Sequence, residues 1–446
     1  MFQAIKLSKS DPTPLYIQLA NEISNLIQTG AMFPGTKLPP IRDLASKLKI
    51  NRDTVVSAYK LLENQGLAKG YIGRGTFVAH QLYKETASTF GFDESKICCS
   101  SLSFSKDLYP VSLCKELAMN IILEEGWQAF SDPLYRARNI LKQNICVFLK
   151  SYQVKANPAQ VRIVKSYEQF LLSLFRLSPK QGICVEKLHD LTYSSFLKSI
   201  GAKIYEIPLE PDGINVECLE KYLSTCPISY ILLNPYVQNP TSICYSKEKI
   251  EKIIELAHTY NCYIIEDGTY SGFAQDKENC IPIVSQDKND TTLYISHFSK
   301  VYLPYLSYTF VILPPLLAKR LCDRYECSFN DRIISYYLES EYLKEVHKTI
   351  HEEVKMKYDL LYKVLRELKN KIQVYSSDSY LFLWLKPLTI SFNELNHIFV
   401  KHQVIVSPSS LYSMQNSDEF FRLSLSSLSI EDTTHIGSLL KQYMNE

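Results

Sequence analysis

Four polar side chains at or soon after the ends of apolar, strand-like segments have the types needed to hold a pyridine aldehyde. They are the amide of Asn239, the carboxylate of Asp267, the phenol of Tyr270 and the amine of Lys300. A carboxylate can pair with the ring nitrogen, an amide and a phenol can bond the phenolic oxygen, and a lysine amine can condense with the aldehyde. The pattern therefore predicts a site for such a ligand, anchored covalently at Lys300.

An α/β sheet is needed to bring these side chains together, and the sequence after residue 107 has the corresponding pattern. Strand-like runs alternate with helical runs such as residues 247–260, and the strands are predicted over residues 182–186, 204–207, 229–233, 262–266, 292–296 and 308–313. This alternation predicts a mainly parallel sheet with helices on both faces. Ligands bind such sheets at the carboxyl ends of the strands, where Asn239, Asp267 and Lys300 fall.

The predicted domain organisation has three parts. Residues 1–80 form one domain, residues 81–106 have no sustained apolar period and are interpreted as a linker, and residues 107–446 form the α/β domain. Within this last part, a smaller α+β subdomain is predicted over about residues 315–446. It would begin with a long helix over residues 344–368 and continue with strands over residues 379–385 and 403–406.

Composition is that of an ordinary globular protein. Of 446 residues, 46% are hydrophobic and 22% are charged, which allows two or three domains with sizeable cores. Neither a run of membrane-span length nor an apolar N-terminal signal is found, so we expect a cytoplasmic protein without a membrane partner. The twelve cysteines include no C-x-x-C pair, so neither a metal site nor a disulfide framework is predicted.

Charge is distributed unevenly along the chain. Residues 1–80 carry ten lysines and arginines against five acidic residues, whereas the remainder carries 39 against 42. A small basic module joined to a large, slightly acidic one indicates that the small module binds a polyanion.

The basic module has the pattern of a winged helix-turn-helix. Helical apolar spacing covers residues 14–29, 38–48 and 52–63, with Asn51 as a cap for the third helix, and residues 67–78 are interpreted as a hairpin with a glycine-rich tip. Such a module binds double-stranded DNA with its third helix in the major groove.

Specific side chains of this module are candidates for DNA contacts. The third helix would expose Arg52, Thr54 and Lys60 towards the major groove, and the wing would offer Arg74 to the backbone or the minor groove.

The segments KLPPIRDLA, INRDTVVSAYKLLENQGL and GRGTFV resemble the DNA-binding domain of the GntR family of regulators. This resemblance implies that operator DNA is the partner. It favours Arg42, Arg52 and Thr54 as contacts on the helices, and Arg74 and Gly75 as contacts in the wing.

The whole chain is similar to the MocR subgroup of GntR regulators, in which the second domain resembles the fold-type I aminotransferases. The resemblance implies that this domain binds pyridoxal 5′-phosphate (PLP), senses an amine or amino-acid effector, and forms a head-to-tail homodimer. It assigns the aldehyde-binding lysine to Lys300, the ring-nitrogen partner to Asp267, the phenolic-oxygen neighbours to Asn239 and Tyr270, and the effector-carboxylate clamp to Arg422.

The phosphate of the cofactor would lie against Ser299 and against the loop before a helix at Ser166 and Tyr167. Departures from the family pattern fall mostly on this phosphate site. Ser307 stands where these regulators usually carry a phosphate-binding arginine, and His297 stands where they carry threonine or serine. Serine replaces glycine at Ser166 and at Ser242, and the aromatic residue expected over the ring occurs three positions late, as Tyr193.

Losing a phosphate arginine removes hydrogen bonds of about 1.5–3 kcal/mol each, so cofactor affinity would fall about tenfold or more. Lys165 or His297 could compensate.

Three functions follow from these patterns. The first is a DNA-binding transcription regulator that senses PLP or an amino-containing metabolite and has no catalytic role. The alternatives are a PLP-dependent aminotransferase with an accessory DNA-binding domain, and a regulator whose second domain is a cofactor-free dimerisation scaffold. An enzyme needs its ring held rigidly, so the altered phosphate site favours sensing over catalysis.

Overall fold

In the computed structural model, the chain divides into two units, residues 1–94 and 95–446. The described residues are 7–8, 11–28, 32, 36–71, 75–79, 96–104, 109–131, 135–164, 166–178, 180–276, 280–298, 308–321, 328–375, 378–413 and 419–445. Several residues singled out in the sequence lie outside these ranges, namely Arg74, Lys165, Ser299, Lys300 and Ser307.

Three helices and a hairpin make up the described part of the first unit, which confirms the predicted winged helix-turn-helix. The elements are α1 (Leu15–Gln28), α2 (Ile41–Leu48), α3 (Arg52–Asn64) and the antiparallel strands β1 (Ala68–Tyr71) and β2 (Gly75–Val78).

The second helix starts three residues later than predicted. Leu38 N donates to Thr76 O at 2.8 Å, and Val78 N donates to Thr36 O at 2.8 Å, so these residues join the hairpin instead of the helix. The third helix starts as predicted, because the Asn51 side chain accepts a hydrogen bond from Asp53 N at 3.2 Å.

The core of this unit fixes the orientation of α3. Val55, Ala58 and Leu62 of α3 are completely buried together with Leu19 and Ile23 of α1. The Tyr59 hydroxyl donates to Pro39 O at 2.8 Å and so attaches α3 to the segment just before α2. The polar face of α3 is thereby left on the surface.

Strands and helices alternate through the second unit. Its strands are β3 (Ile97–Cys98), β4 (Val161–Val164), β5 (Gly182–Glu186), β6 (Lys203–Ile207), β7 (Leu209–Glu210), β8 (Gly213–Ile214), β9 (Ile228–Leu233), β10 (Tyr263–Asp267), β11 (Thr292–Ser296), β12 (Thr309–Ile312), β13 (Ile372–Val374), β14 (Phe382–Pro387), β15 (Val404–Ile405), β16 (Ser407–Pro408) and β17 (Phe421–Ser424). Its helices are α4 (Val111–Glu125), α5 (Tyr135–Lys150), α6 (Tyr167–Leu177), α7 (Leu191–Ser199), α8 (Val216–Thr225), α9 (Lys247–Thr259), α10 (Ile283–Gln286), α11 (Pro315–Arg320), α12 (Phe329–Glu339), α13 (Glu341–Glu367), α14 (Phe392–Lys401) and α15 (Ile430–Asn445).

The central sheet has the strand order β4-β12-β11-β10-β9-β5-β6. Strands β6, β5, β9, β10 and β11 are parallel, whereas β12 runs antiparallel to both β11 and β4. The mainly parallel sheet is therefore confirmed. The parallel strands β5, β9 and β11 are buried on both faces, which is why they appear in the sequence as continuous apolar runs.

A second sheet forms the core of the C-terminal subdomain. Its antiparallel strands have the order β13-β14-β17-β16, and α13 and α15 pack apolar side chains against it. Among the described residues, no helix combines the length and the apolar content needed to cross a membrane.

Part of the predicted linker belongs to this subdomain. Strand β3 pairs in parallel with β15, and Ser424 N donates to Cys99 O at 2.8 Å. Cys99 and Phe104 are buried, so the linker prediction fails for residues 96–104. This short apolar run shows no periodicity in the sequence. Its pairing partner lies about 300 residues later in the chain, so the spacing of neighbouring residues gives no sign of the pairing.

Candidate functional site

A cavity of about 960 Å³ lies where the parallel strands of the second unit end. Six of the predicted binding residues line it, although they come from widely separated parts of the sequence: Ser166, Tyr167, Asn239, Asp267, Tyr270 and Arg422. Location at the carboxyl ends of the strands is the usual position for a ligand in such a sheet. The remaining two predicted residues, Ser299 and Lys300, fall outside the described residues.

Asp267 is the last residue of β10, and its carboxylate is held by the turn that follows. Its Oδ1 accepts hydrogen bonds from Thr269 N at 3.0 Å and from Thr269 Oγ1 at 2.5 Å. Thr269 Oγ1 in turn accepts from His297 N at 3.0 Å, so the end of β11 helps to fix this turn. The result is a positioned carboxylate at the wall of the cavity, as a partner for a protonated ring nitrogen requires.

Gly268 makes this position of Asp267 possible. A Cβ atom at Gly268 would lie 2.3 Å from Tyr294 Cε2, and Tyr294 is almost completely buried. Only glycine therefore lets the chain turn directly after Asp267 against this ring.

Hydrogen bonds and aromatic rings fix the orientation of the Arg422 guanidinium group. Its Nη1 donates to Asn239 Oδ1 at 2.6 Å, and its Nη2 donates to Ser100 O at 2.6 Å. The guanidinium carbon lies 5.6 Å from the centre of the Phe382 ring and 5.2 Å from that of Tyr412. A planar cation fixed in this way is suited to a carboxylate ligand.

Asn239 connects this arginine to the sheet. Asn239 N donates to Asn234 Oδ1 at 2.8 Å, and Asn234 Nδ2 donates to Asp267 O at 2.7 Å. In the same loop Ser242 has φ of 66°, in the left-handed region that favours glycine, and glycine is what the resemblance leads one to expect there.

Aromatic residues form another part of the wall. The ring of Tyr167 meets Tyr193 edge-on at 5.1 Å and His297 edge-on at 5.0 Å. Tyr193 lines the cavity despite its late position in the sequence. Tyr270 is buried, with its ring edge-on to Phe382 at 6.3 Å.

Glu186 was not predicted from the sequence, although it is central to the cavity wall. This buried carboxyl group accepts hydrogen bonds from Asn234 N at 3.0 Å, Gln238 Nε2 at 2.9 Å and Tyr245 Oη at 2.5 Å. Burial raises its pKa to about 7. The sequence does carry a signal for it, since Glu186 ends an apolar strand in the same way as Asp267 does.

The charges of the cavity fit one part of PLP better than another. Asp267, Asn239 and Tyr270 supply the groups expected around the pyridine ring. Among the described lining residues, Arg422 is the only lysine or arginine, and it is engaged with Asn239 and Ser100. The lining thus fits the ring of the cofactor, while the described residues near α6 offer its phosphate no cationic side chain.

The first unit presents the predicted DNA contacts on its surface. Arg42, Arg52 and Lys60 are exposed, and Thr54 is half-buried. Gly75 has φ of 107°, and a Cβ atom there would lie 2.9 Å from Lys37 Cε, so glycine is required at this end of the wing.

Two further basic residues at the wing were not predicted as DNA contacts from the sequence. Lys37 Nζ lies 5.7 Å from the centre of the Phe77 ring, and Lys69 Nζ lies 5.7 Å from that of Tyr71. Both lysines are exposed, so they can neutralise DNA phosphates. Lys69 stands two positions before Tyr71 in the hairpin, and this was the available signal for Lys69.

Comparison with known protein families identifies both units. The gntR family of bacterial regulatory proteins matches residues 15–78, and the aminotransferase class I and II family matches residues 129–305. The uncharacterized HTH-type transcriptional regulator YdfD of Bacillus subtilis is 23% identical over 97% of this chain and 98% of its own length. The probable rhizopine catabolism regulatory protein MocR of Rhizobium meliloti is 25% identical over 70% of this chain and 68% of its own.

Solved structures give the same fold for the second unit. An archaeal alanine:glyoxylate aminotransferase superposes with a TM-score of 0.70 at 20% identity, covering 81% of this chain and 93% of that one. The aminotransferase fold is thereby established for this part of the chain.

Substituting Gly268→Ala is expected to lower the free energy of unfolding by about 1–3 kcal/mol, because the new methyl group overlaps the buried Tyr294 ring. Urea denaturation measures this change. Gly437→Ala is the control, since its Cβ would lie 3.2 Å from Val364 Cγ2 inside α15, where alanine also favours the helix. Equal stability of wild type and Gly268→Ala would contradict the proposed close approach.

Glu186 is expected to make stability fall with rising pH. Its pKa is about 7 in the folded protein against an ordinary value of 4.5, so its ionisation destabilises the fold increasingly between these values. Glu186→Gln should remove a decline of roughly 3 kcal/mol between pH 4.5 and 7. Unfolding free energies at several pH values measure the slope, with Glu220→Gln on the surface of α8 as control. Parallel curves for wild type and Glu186→Gln would contradict this role.

Proposed function

Since this chain combines a gntR-family DNA-binding domain with an aminotransferase class I and II domain, and its full-length relatives are HTH-type transcriptional regulators, we propose that it regulates transcription in response to a small ligand. The ligand is PLP or a related pyridine aldehyde, together with an amino compound that reacts with it. Its site is the cavity at the carboxyl ends of the parallel strands.

One observation carries the sensing part of this proposal. Residues 166, 239, 267, 270 and 422 line one cavity although up to 256 positions separate them. A carboxylate, an amide, a phenol and a guanidinium around one cavity match the ring, the phenolic oxygen and the carboxylate of the expected ligands.

When bound, a pyridine aldehyde supplies an electrophilic carbonyl that reacts with primary amines. Asp267, with its positioned carboxylate, would hold the proton of the ring nitrogen. The amide nitrogen of Asn239 is the group available to the phenolic oxygen, because its Oδ1 already accepts a hydrogen bond from Arg422. Lys300 would be the residue whose amine holds the aldehyde in the absence of an effector amine.

Arg422 suits the recognition of an effector carboxylate and the response to it. It belongs to β17 of the C-terminal subdomain and donates to Asn239 in the loop after β9. A carboxylate bound at this point would compete with Asn239 for the guanidinium, and would therefore bias the position of the subdomain against the central sheet.

The aminotransferase alternative rests on the fold and on relatives such as aromatic-amino-acid aminotransferase 1 of Thermococcus litoralis, which is 22% identical over 62% of this chain. Sensing is favoured because the described phosphate end of the cavity lacks a cationic side chain, whereas catalysis needs the ring held rigidly.

A second copy of the chain is the partner proposed for the apolar surface of α4 and the turn after it. Leu123, Trp127 and Phe130 are exposed to 74%, 76% and 70%, which is unusual for side chains of this kind. A dimer also presents two DNA-binding units to two half-sites, as helix-turn-helix proteins require.

The function is tested by selecting duplexes from a random DNA library with the full-length protein. We expect enrichment of a sequence with two half-sites, and a loss of about 5- to 150-fold in affinity for Arg52→Ala because a groove contact contributes about 1–3 kcal/mol. Fluorescence anisotropy with the selected duplex should then change when PLP or pyridoxal is added, and again with added amino acids.

The same preparations distinguish the alternatives. Steady transamination between amino acids and 2-oxo acids would favour the enzyme. DNA binding that responds to no aldehyde or amine, in the wild type and in Arg422→Ala alike, would favour the cofactor-free scaffold.

Dimerisation is tested with the double substitution Leu123→Glu and Trp127→Ser. Sedimentation should show a dimer for the wild type and a monomer for this variant, because the contact loses its apolar side chains. Val400→Glu on α14, where the native valine is also 62% exposed, should remain dimeric. A wild-type monomer, or an unchanged dimer in the double variant, would exclude this surface as the interface.

A further inference from the structure

The first turn of α6 reaches the cavity with an acidic side chain that the family resemblance does not explain. Ser166, Tyr167 and Glu168 all line the cavity at this point. Ser166 Oγ accepts a hydrogen bond from Gln169 N at 3.2 Å and donates its own proton to Glu168 Oε2 at 2.8 Å. The hydroxyl group is therefore engaged on both sides within the turn, and its proton is not offered to a ligand oxyanion.

Glu168 also alters the electrostatics of this helix end. The N-terminus of a helix carries about half a positive unit charge and attracts anions. Glu168 places a full negative charge in the first turn of α6. Its carboxylate interacts favourably with the positive helix end, and so reduces the attraction of this end for a ligand anion. A phosphate monoester, with a charge of about −1.5 to −2, would meet a like charge there.

The other described charges of the cavity do not compensate. Among the described lining residues, Glu168, Glu186, Asp190 and Asp267 are acidic, and Arg422 is the only lysine or arginine. Arg422 is bonded to Asn239 and Ser100 on the side of the C-terminal subdomain.

An uncharged hydroxymethyl group has the opposite preference. Its hydroxyl proton can be donated to the Glu168 carboxylate, and hydrogen bonds to a charged acceptor are about twice as strong as those between neutral groups. Pyridoxal carries such a group at the position where PLP carries its phosphate ester.

We propose that Glu168 is a specificity-determining residue, which makes the cavity accept the unphosphorylated aldehyde, pyridoxal, in preference to its phosphate ester. This inference rests on the proposed function, because it concerns the ligand of the same cavity. It assigns the position of the ligand's hydroxymethyl group to the first turn of α6, next to Ser166.

The test compares the dissociation constants of pyridoxal and PLP for the full-length wild type and for Glu168→Gln, measured by calorimetry. The wild type should bind pyridoxal at least as tightly as PLP. In Glu168→Gln the affinity for PLP should rise about tenfold, because a like charge near the phosphate is removed, while that for pyridoxal should fall about threefold.

Glu248→Gln is the matched control. Glu248 occupies the same position in α9, two residues after the capping Ser246, and does not line the cavity. This variant should bind both aldehydes as the wild type does. Thermal unfolding of each variant shows whether the substitution has disturbed the fold. A second substitution at the same position, Glu168→Ser, shows whether the effect on binding follows the loss of the charge.

The outcomes separate this inference from the function on which it rests. Binding of both aldehydes with a tenfold preference for PLP in the wild type, or an unchanged preference in both Glu168 variants, would overturn the role of Glu168 and leave the sensor proposal standing. Failure of every protein to bind either aldehyde would overturn both.

Discussion

Glu186 accepts three hydrogen bonds from the loop that follows β9, and the geometry of the cavity depends on them. They come from Asn234 N, Gln238 Nε2 and Tyr245 Oη, so the buried carboxyl group ties β5 to both ends of this loop. The loop carries Asn239, which in turn accepts a hydrogen bond from Arg422 of the C-terminal subdomain. The position of the arginine thus depends on an acid buried in the central sheet, and its three donors offset only part of the free energy of burying the charged form, since burial still raises its pKa to about 7.

This arrangement separates the cavity into parts with different roles. Asp267 and Asn234, at the ends of adjacent parallel strands, are joined by a hydrogen bond to the Asp267 carbonyl oxygen and form a fixed base for a ring. Arg422 belongs to a different subdomain and, among the described residues, is connected to this base through Asn239. The part that would hold a cofactor ring is therefore built on the sheet, and the part that would recognise an effector lies at the junction between the sheet and the C-terminal subdomain. Such a junction suits a sensor, whose ligand must favour one of two arrangements.

The first unit shows how few residues a DNA-binding surface needs once its core is set. Apolar side chains of α1 and α3 fill the core, and the Tyr59 hydroxyl attaches α3 to the carbonyl oxygen of Pro39. Arg42, Arg52 and Lys60 are exposed on this unit, where their charges are available to a polyanion.

The sequence by itself determined the winged helix-turn-helix, the order of strands and helices in the second unit, and the carboxylate and amide positions at strand ends. These follow from local periodicity and from the rule that ligands bind at the carboxyl edge of a parallel sheet. Tertiary structure alone decided that Ile97–Cys98 pair with β15, that Arg422 bonds Asn239, and that burial raises the pKa of Glu186 to about 7. Those features join segments up to about 300 residues apart, and a shifted pKa depends on burial in three dimensions. Neither distance in space nor removal from water is encoded in the spacing of neighbouring residues.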